Sequence, residues 1–408
     1  MTRGSSVMVM DGHLSRTCCG SVMVQRCPEA ARYPFAMRLA LVAITVSLLV
    51  LLATACSDPG VRLAPALAGT TFDRPVEVGA YPDGRTFVAE QGGAIWLVED
   101  DGATASLLDL GALVDDDLGE GLLSVALDPA FEENGHLWAW YFAADEPPRA
   151  TLARFKVVEG QAGPGSALVV LEALQPGYNQ NGGTVRFGPD GMLYLSIGDG
   201  SASLDPFEQG QDTTTLLATV IRIDVSASTA ANPYVVPADN PFAGRDDVLP
   251  EIFAYGFRNP FRMDIDPESG DVWLGDVGAS STEEVNRVLP GGNYGWSILE
   301  GARCLDAGDC DTGGLSPPVA TYEHAEGVCA VIGGVIYRGD ALDHLLGRYL
   351  FADFCSGQVL ALDTRDGVAI PAVIATLEGA PVTFGRDANG EVLIADYAGG
   401  GIYRLEAE

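Results

Sequence analysis

The residues best placed to do chemistry begin in the run YNQNGGTVRFGPDGMLYLSIGDG, residues 178–200. Gln180 is a neutral amide. It can hold a hydroxyl by hydrogen bonds but does not take its proton at useful pH. Asp199 stands in IGDG, just after a strand-like run. A carboxylate there either caps backbone N–H groups of a turn or acts as a base, reaching its substrate through water. Arg258, in GFRNP, pairs with one of the many carboxylates unless a site claims it, and Asn259 follows it. Glu283 and Glu284 are either solvent-exposed or lend charge to a nearby cation site. The four histidines are His13, His136, His324 and His344. Of these, His324 lies beside a cysteine-rich loop and is a lining residue or an ordinary loop residue. There is no GxSxG elbow, so a serine hydrolase of that kind is excluded. No phosphate loop or dinucleotide fingerprint is present either.

The elements that must position these residues are strands. The chain has 408 residues, 50 of them glycine, with 47% hydrophobic and 19% charged residues. Short runs of valine, isoleucine, leucine and aromatics alternate with Gly, Asp, Asn and Pro. A loose repeat recurs: a turn with Asp or Asn and Gly, an alternating apolar strand, then an acidic or polar residue. Copies are YPDGRTFVAEQGGAIWLVE (81–99), GPDGMLYLSIGDG (188–200), DPESGDVWLGDVG (266–278) and DANGEVLIADYAGGGIYRL (387–405). A two-stranded unit does not bury a face alone, whereas units repeated radially bury one another. The pattern therefore predicts a β-propeller. Residues 201–250 and 297–330 are long insertions rich in Gly, Asp, Asn and Pro, as expected of loops that carry sites. No linker divides residues 66–408.

Charge and cysteines narrow the partners. With 23 basic and 56 acidic residues the net charge is -33. Such a surface repels phosphate backbones and anionic lipid, so no nucleic-acid partner is expected. Met37-Arg38 precedes an apolar run, 39–53, short enough to suit a signal-peptide core. It ends LLATAC, so Cys56 is either the lipidated cysteine of a bacterial lipobox or part of an ordinary secretory signal or uncleaved anchor. Residues 1–36 resemble neither signal nor domain, 37–56 form the signal, and 57–65 form a tether. Membrane contact is then through a lipid anchor only, and the protein is exported to a bacterial envelope or periplasm. Four cysteines follow: Cys304, Cys310, Cys329 and Cys355. An even number in an exported chain favours two disulfides, Cys304–Cys310 closing a small loop and Cys329–Cys355 pinning neighbouring strands. A zinc site is the alternative.

Seven segments in order carry a family resemblance. They are EGLLSVALDPAFEENG (120–135), FGPDGMLYLSIGDG (187–200), PADNPFAG (237–244), AYGFRNPFRMDIDP (254–267), GGNYGW (291–296), GGVIYRG (333–339) and GRYLFADFCSGQVLAL (347–362). Together they resemble the soluble glucose/sorbosone dehydrogenases that use pyrroloquinoline quinone (PQQ). The resemblance implies an all-β fold, a six-bladed β-propeller of four-stranded antiparallel blades. It implies oxidation of a sugar or other alcohol by hydride transfer to PQQ with Ca2+ assistance, and an electron acceptor the sequence does not specify. Gln180 stands where the family has its catalytic histidine, and Asp199 matches the carboxylate that orients it. Arg258 matches the arginine at the quinone, where it would stabilise developing charge, and Asn259 a further cofactor contact. Gly278 and Ala279 align with backbone-carbonyl calcium ligands. Cys355 stands at a lysine position, with Arg386 the nearest remaining cation. Arg262, Arg338 and Arg348 would compensate only by facing the central funnel. Similar folds in animal ectodomains bind without known dehydrogenase chemistry. A non-catalytic propeller binding a carbohydrate or a protein partner is therefore the alternative implied.

Overall fold

In a computed structural model the protein folds as six four-stranded antiparallel sheets with almost no helix. The structure describes residues 60–99, 101–115, 120–144, 147–177, 179–201, 203–305, 308–363 and 370–408. The signal segment and Cys56 lie outside the described residues. Blade 1 spans 75–109, blade 2 122–174, blade 3 185–255, blade 4 260–323 and blade 5 331–376. Blade 6 takes three strands from 381–407 and its outer strand from Val61–Pro65. The first strands of successive blades touch one another around a central axis, and the ring closes from blade 6 to blade 1. The expected six-bladed propeller is what forms.

One strand shows why. HLWAWYF (His136–Phe142) is buried along almost its whole length. Side chains alternate between the two faces of a strand. Trp138, Trp140 and Phe142 therefore pack towards blade 3, against Val185, Leu195 and Ile221. Leu137, Ala139 and Tyr141 pack towards blade 1, against Ile95 and Leu97. A middle strand sandwiched by two neighbouring blades must be apolar on both faces.

The expected tether needs correction. Residues 61–65 pair with Ile402–Ala407 in antiparallel register, Val61 opposite Ala407 and Pro65 opposite Tyr403. Blade 6 is one strand short without them, and the unpaired edge of the 402–407 strand draws them in. Both disulfides form as expected, with Cα–Cα distances of 5.8 Å for Cys304–Cys310 and 5.6 Å for Cys329–Cys355. Cys329 leads into the first strand of blade 5 and Cys355 follows its second, so that bridge pins neighbouring strands.

Candidate functional site

Each blade's second strand ends at the same opening of the channel at which its first strand begins, and a carboxylate there recurs. Asp276 accepts the backbone N–H of Arg258 (3.0 Å) and of Asn259 (2.7 Å). Asp353 accepts those of Cys329 (3.1 Å) and Ala330 (3.0 Å). Asp396 accepts that of Ala380 at 2.9 Å. These aspartates clamp the entry of the first strand in blades 4, 5 and 6. In blade 3 the equivalent position, the last of its strand, is Ile197, and Asp199 lies two residues further on. It clamps no strand entry. Its Oδ1 accepts Ser201 N and Ser201 Oγ, both at 2.9 Å, and its Oδ2 accepts Trp296 Nε1 at 2.8 Å. Asp199 is fully buried. Burial pushes its pKa up to about 6, against the opposing pull of the Ser201 and Trp296 hydrogen bonds and the Arg258 charge.

Gln180 and Arg258 complete the cluster. Gln180 has a left-handed backbone, φ 56°, unusual for a residue with a side chain. Its carbonyl accepts Gly200 N at 3.1 Å, and Gly198 passes so close that a Cβ there would lie 1.8 Å from that oxygen. The turn thus ties residue 180 to the loop bearing Asp199. Arg258 Nη1 donates to Gln180 Oε1 at 3.3 Å, Val277 O at 3.1 Å and Gly278 O at 2.7 Å. Its guanidinium lies 5.6 Å from the centre of the Trp296 ring. Asp199 N donates to Arg258 O at 2.9 Å, joining the two loops again. Asn259 Oδ1 accepts Gly182 N at 3.0 Å, so this side chain braces the turn.

The structure therefore brings Gln180, Asp199, Arg258 and Asn259 together. Gly278 lies beside them, but its carbonyl already receives the Arg258 guanidinium. Ala279 turns its N–H to Glu300 Oε1 at 2.8 Å. Glu300 Oε1 also accepts the N–H groups of Ser280, Ser281 and Thr282. Burial would raise its pKa, and these hydrogen bonds outweigh that, holding it at about 2. Glu283 is buried, not exposed. It accepts Val331 N at 2.8 Å and pairs with His324 Nε2. Among the described residues no group of three or more His, Cys, Asp and Glu is placed to hold a metal ion.

The arginines that would face a cofactor are placed otherwise. Arg262 does lie on the channel axis, buried, donating to the carbonyls of Val76 (2.9 Å), Leu123 (3.1 Å), Gly183 (3.0 Å) and Val382 (3.2 Å). Arg386 pairs with Asp264, and Arg338 with Asp266, at the far ends of the first strands. Cys355 is bridged. PQQ carries three carboxylates and calls for several cations. The donor set of this opening, with one carbonyl-bound guanidinium beside an amide, does not match that group.

Trp296 and Ser201 are the residues that sequence reasoning passed over. Trp296 sits in GGNYGW as an indole N–H beside glycines, which leaves its direction open. Ser201 follows an aspartate at the i, i+2 spacing of an Asx turn, a signal that was legible.

A six-bladed propeller with a buried carboxylate, an arginine and an amide at one channel opening defines a class. The family model described as Glucose / Sorbosone dehydrogenase matches residues 72–380, and the chain belongs to that family. It is similar to the HIPL2 protein of Arabidopsis thaliana, 29% identical over 355 residues, 69% of this chain and 51% of that protein. It is also similar to Hedgehog-interacting protein of Homo sapiens, 27% identical over 78% of this chain and 48% of that protein. The chain spans about half the length of these curated relatives. Among solved structures, the apo-form of the soluble aldose sugar dehydrogenase of Escherichia coli superposes with TM-score 0.71 at 18% identity, over 85% of this chain and 100% of that one. The PQQ-bound aldose sugar dehydrogenase of Streptomyces coelicolor gives TM-score 0.68 at 21% identity, over 86% and 100%. At these identities the two structures speak for the fold.

Proposed function

We propose that this propeller binds a neutral, hydroxyl-bearing ligand, a sugar or other alcohol, at the opening formed by Gln180, Asp199, Arg258 and Trp296. In this chain, recognition takes the place of PQQ-dependent oxidation. The observation that carries the reading is the hydrogen bond from Arg258 Nη1 to Gln180 Oε1. It leaves the Gln180 NH2 to donate to a hydroxyl, and it holds the guanidinium on neutral oxygens rather than on an anion. An amide donor beside a carboxylate acceptor suits a hydroxyl group, which both accepts and donates. A second reading, an oxidoreductase of the family's kind, is favoured by Asp199, whose pKa of about 6 makes it an ionised proton acceptor near pH 7.

One experiment separates the two. The purified protein is mixed with PQQ and calcium, and dye reduction is followed over a panel of aldoses and alcohols while Trp fluorescence reports binding. Saturable fluorescence changes with a sugar, without PQQ retention or turnover, are expected. Retained PQQ with turnover that Asp199→Asn abolishes would establish the second reading instead. Gln180→His is expected to restore no turnover, because the cation set is unchanged. Clear activity in that variant would show that residue 180 alone is limiting.

Export is part of the proposal. Attachment would fall to Cys56, the cysteine that ends LLATAC after the apolar run 39–53. Cys56→Ser is expected to move the protein from the membrane to the soluble fraction after cell lysis. Unchanged membrane recovery would remove the lipid anchor from the account.

A further inference from the structure

The far end of the channel holds a cavity that the proposed function does not use. It measures about 270 Å³, and residues from all six blades line it. Four of them are charged: Glu77 from blade 1, Arg186 from blade 3, Asp264 from blade 4 and Arg386 from blade 6. Aromatic and aliphatic side chains, among them Phe187, Val335 and Phe384, fill the spaces between.

The protein satisfies its own carboxylates there. Glu77 accepts Arg186 Nη1 and Nη2, both at 2.9 Å, and Ser124 Oγ at 2.8 Å. Asp264 accepts Arg386 Nη1 at 3.0 Å, Arg386 Nη2 at 2.6 Å and Ile336 N at 3.1 Å. Both carboxylates are buried. The arginines are less so, with side chains 21% and 25% exposed. A guanidinium has five N–H donors. After these pairs, and the bonds to Val185 O and Ile336 O, each arginine retains a terminal N–H with no acceptor among the described residues. Arg262 adds a third guanidinium on the axis, held by carbonyls and by no carboxylate. Arg262 does not line the cavity, whose own charges are two guanidiniums and two carboxylates, so what the lining offers a ligand is the N–H groups those pairs leave over.

We propose that this cavity binds a small organic carboxylate, its charge on Arg186 and Arg386 and its apolar body against Phe187, Val335 and Phe384. The apolar walls disfavour a bare inorganic anion, which would lose hydration without recovering it. The site is separate from the opening at Gln180 and Arg258, which lies at the other ends of the same strands.

Calorimetric titration of the purified protein tests this, with benzoate as probe and benzamide as its neutral match at equal ionic strength. Benzoate is expected to saturate one site with an affinity on the order of 1 mM or tighter, and benzamide is not. Arg386→Gln is expected to weaken benzoate by about tenfold, the scale of one charge-assisted hydrogen bond. Because that variant strands Asp264, a second one keeps every charge. Leu127→Trp, at the half-exposed rim, narrows the cavity and is expected to abolish binding. Equal binding of benzoate and benzamide, no saturation up to tens of millimolar, or unchanged affinity in Leu127→Trp would each overturn the proposal.

Discussion

Replacing Arg262 with methionine is expected to destabilise the propeller by about 3–5 kcal/mol, the range of a disrupted buried network. The side chain bonds across the axis to three blades and to the segment entering a fourth. Its guanidinium reaches carbonyls of blades 1, 2 and 6 and of the segment entering blade 3. Val76, Leu123 and Val382 are buried at register shifts in their strands, where the regular ladder is interrupted. Each carbonyl left unpaired costs about 1–3 kcal/mol. Against that stands the relief of an awkward charge, since burial holds the Arg262 pKa down at about 10. Methionine removes that cost and fills part of the volume, which keeps the net loss below the sum of four orphaned groups. Arg262→Lys is expected to fall between, because an ammonium does not present a planar fork. As a control, removing the exposed Arg245–Asp247 pair is expected to leave stability essentially unchanged. Urea unfolding measures all three. A change below about 1 kcal/mol for Arg262→Met would show that the axis is held by sheet packing alone.

Stability is expected to fall as pH rises from 5 to 8, the reverse of a protein held together by surface ion pairs. Glu284 is the main cause. Burial pushes its pKa to about 7, partly offset by the Gly301 N–H and the Asn286 amide and reinforced by Glu283 and Glu300. Asp276, fully enclosed and facing Glu284, is raised in the same direction, by burial first and by that neighbour second. Glu283 is raised by burial as well, against its His324 and backbone hydrogen bonds. A carboxyl whose pKa is raised by folding binds its proton more tightly folded than unfolded. The stabilisation is complete below the unfolded value and is lost as pH passes through the folded one. For Glu284 the shift from 4.5 to about 7 corresponds to about 3 kcal/mol lost across that window. Glu300 and Asp266, both held at about 2, act oppositely and weaken the fold as pH drops below about 4. The optimum is therefore expected near pH 5. Glu284→Gln is expected to flatten the decline above it. A flat profile in the parent protein between pH 5 and 8 would contradict the burial of these carboxyls.

The propeller was legible in the sequence because its unit is local. The turn-plus-strand copies at 81–99, 188–200, 266–278 and 387–405 fall on blades 1, 3, 4 and 6, each within a stretch of adjacent residues. The strand at 61–65 was not legible, because its partner lies more than 300 residues away and five residues show little alternation. At the site, residue types were readable and directions were not. Gln180, Asp199, Arg258 and Asn259 do converge. The difference between Asp199 and the clamping aspartates Asp276, Asp353 and Asp396 is a two-residue offset that only the strand register exposes. Arg262 carried the right charge for a cofactor contact, yet its partners are carbonyls from four distant segments. Glu283 and Glu284 read equally as solvent-exposed or as charge beside a cation site, and both are buried, because a strand packed on both faces leaves neither of them outside.

The strand that completes blade 6 also decides where the ring closes. Gly60 O accepts Glu408 N at 2.9 Å, so the chain enters and leaves the ring at one point. That point is on the circumference, four strands out from the axis. The ring is therefore sealed only when residues 61–65 meet residues 402–407, so its closure joins the first and last segments of the propeller.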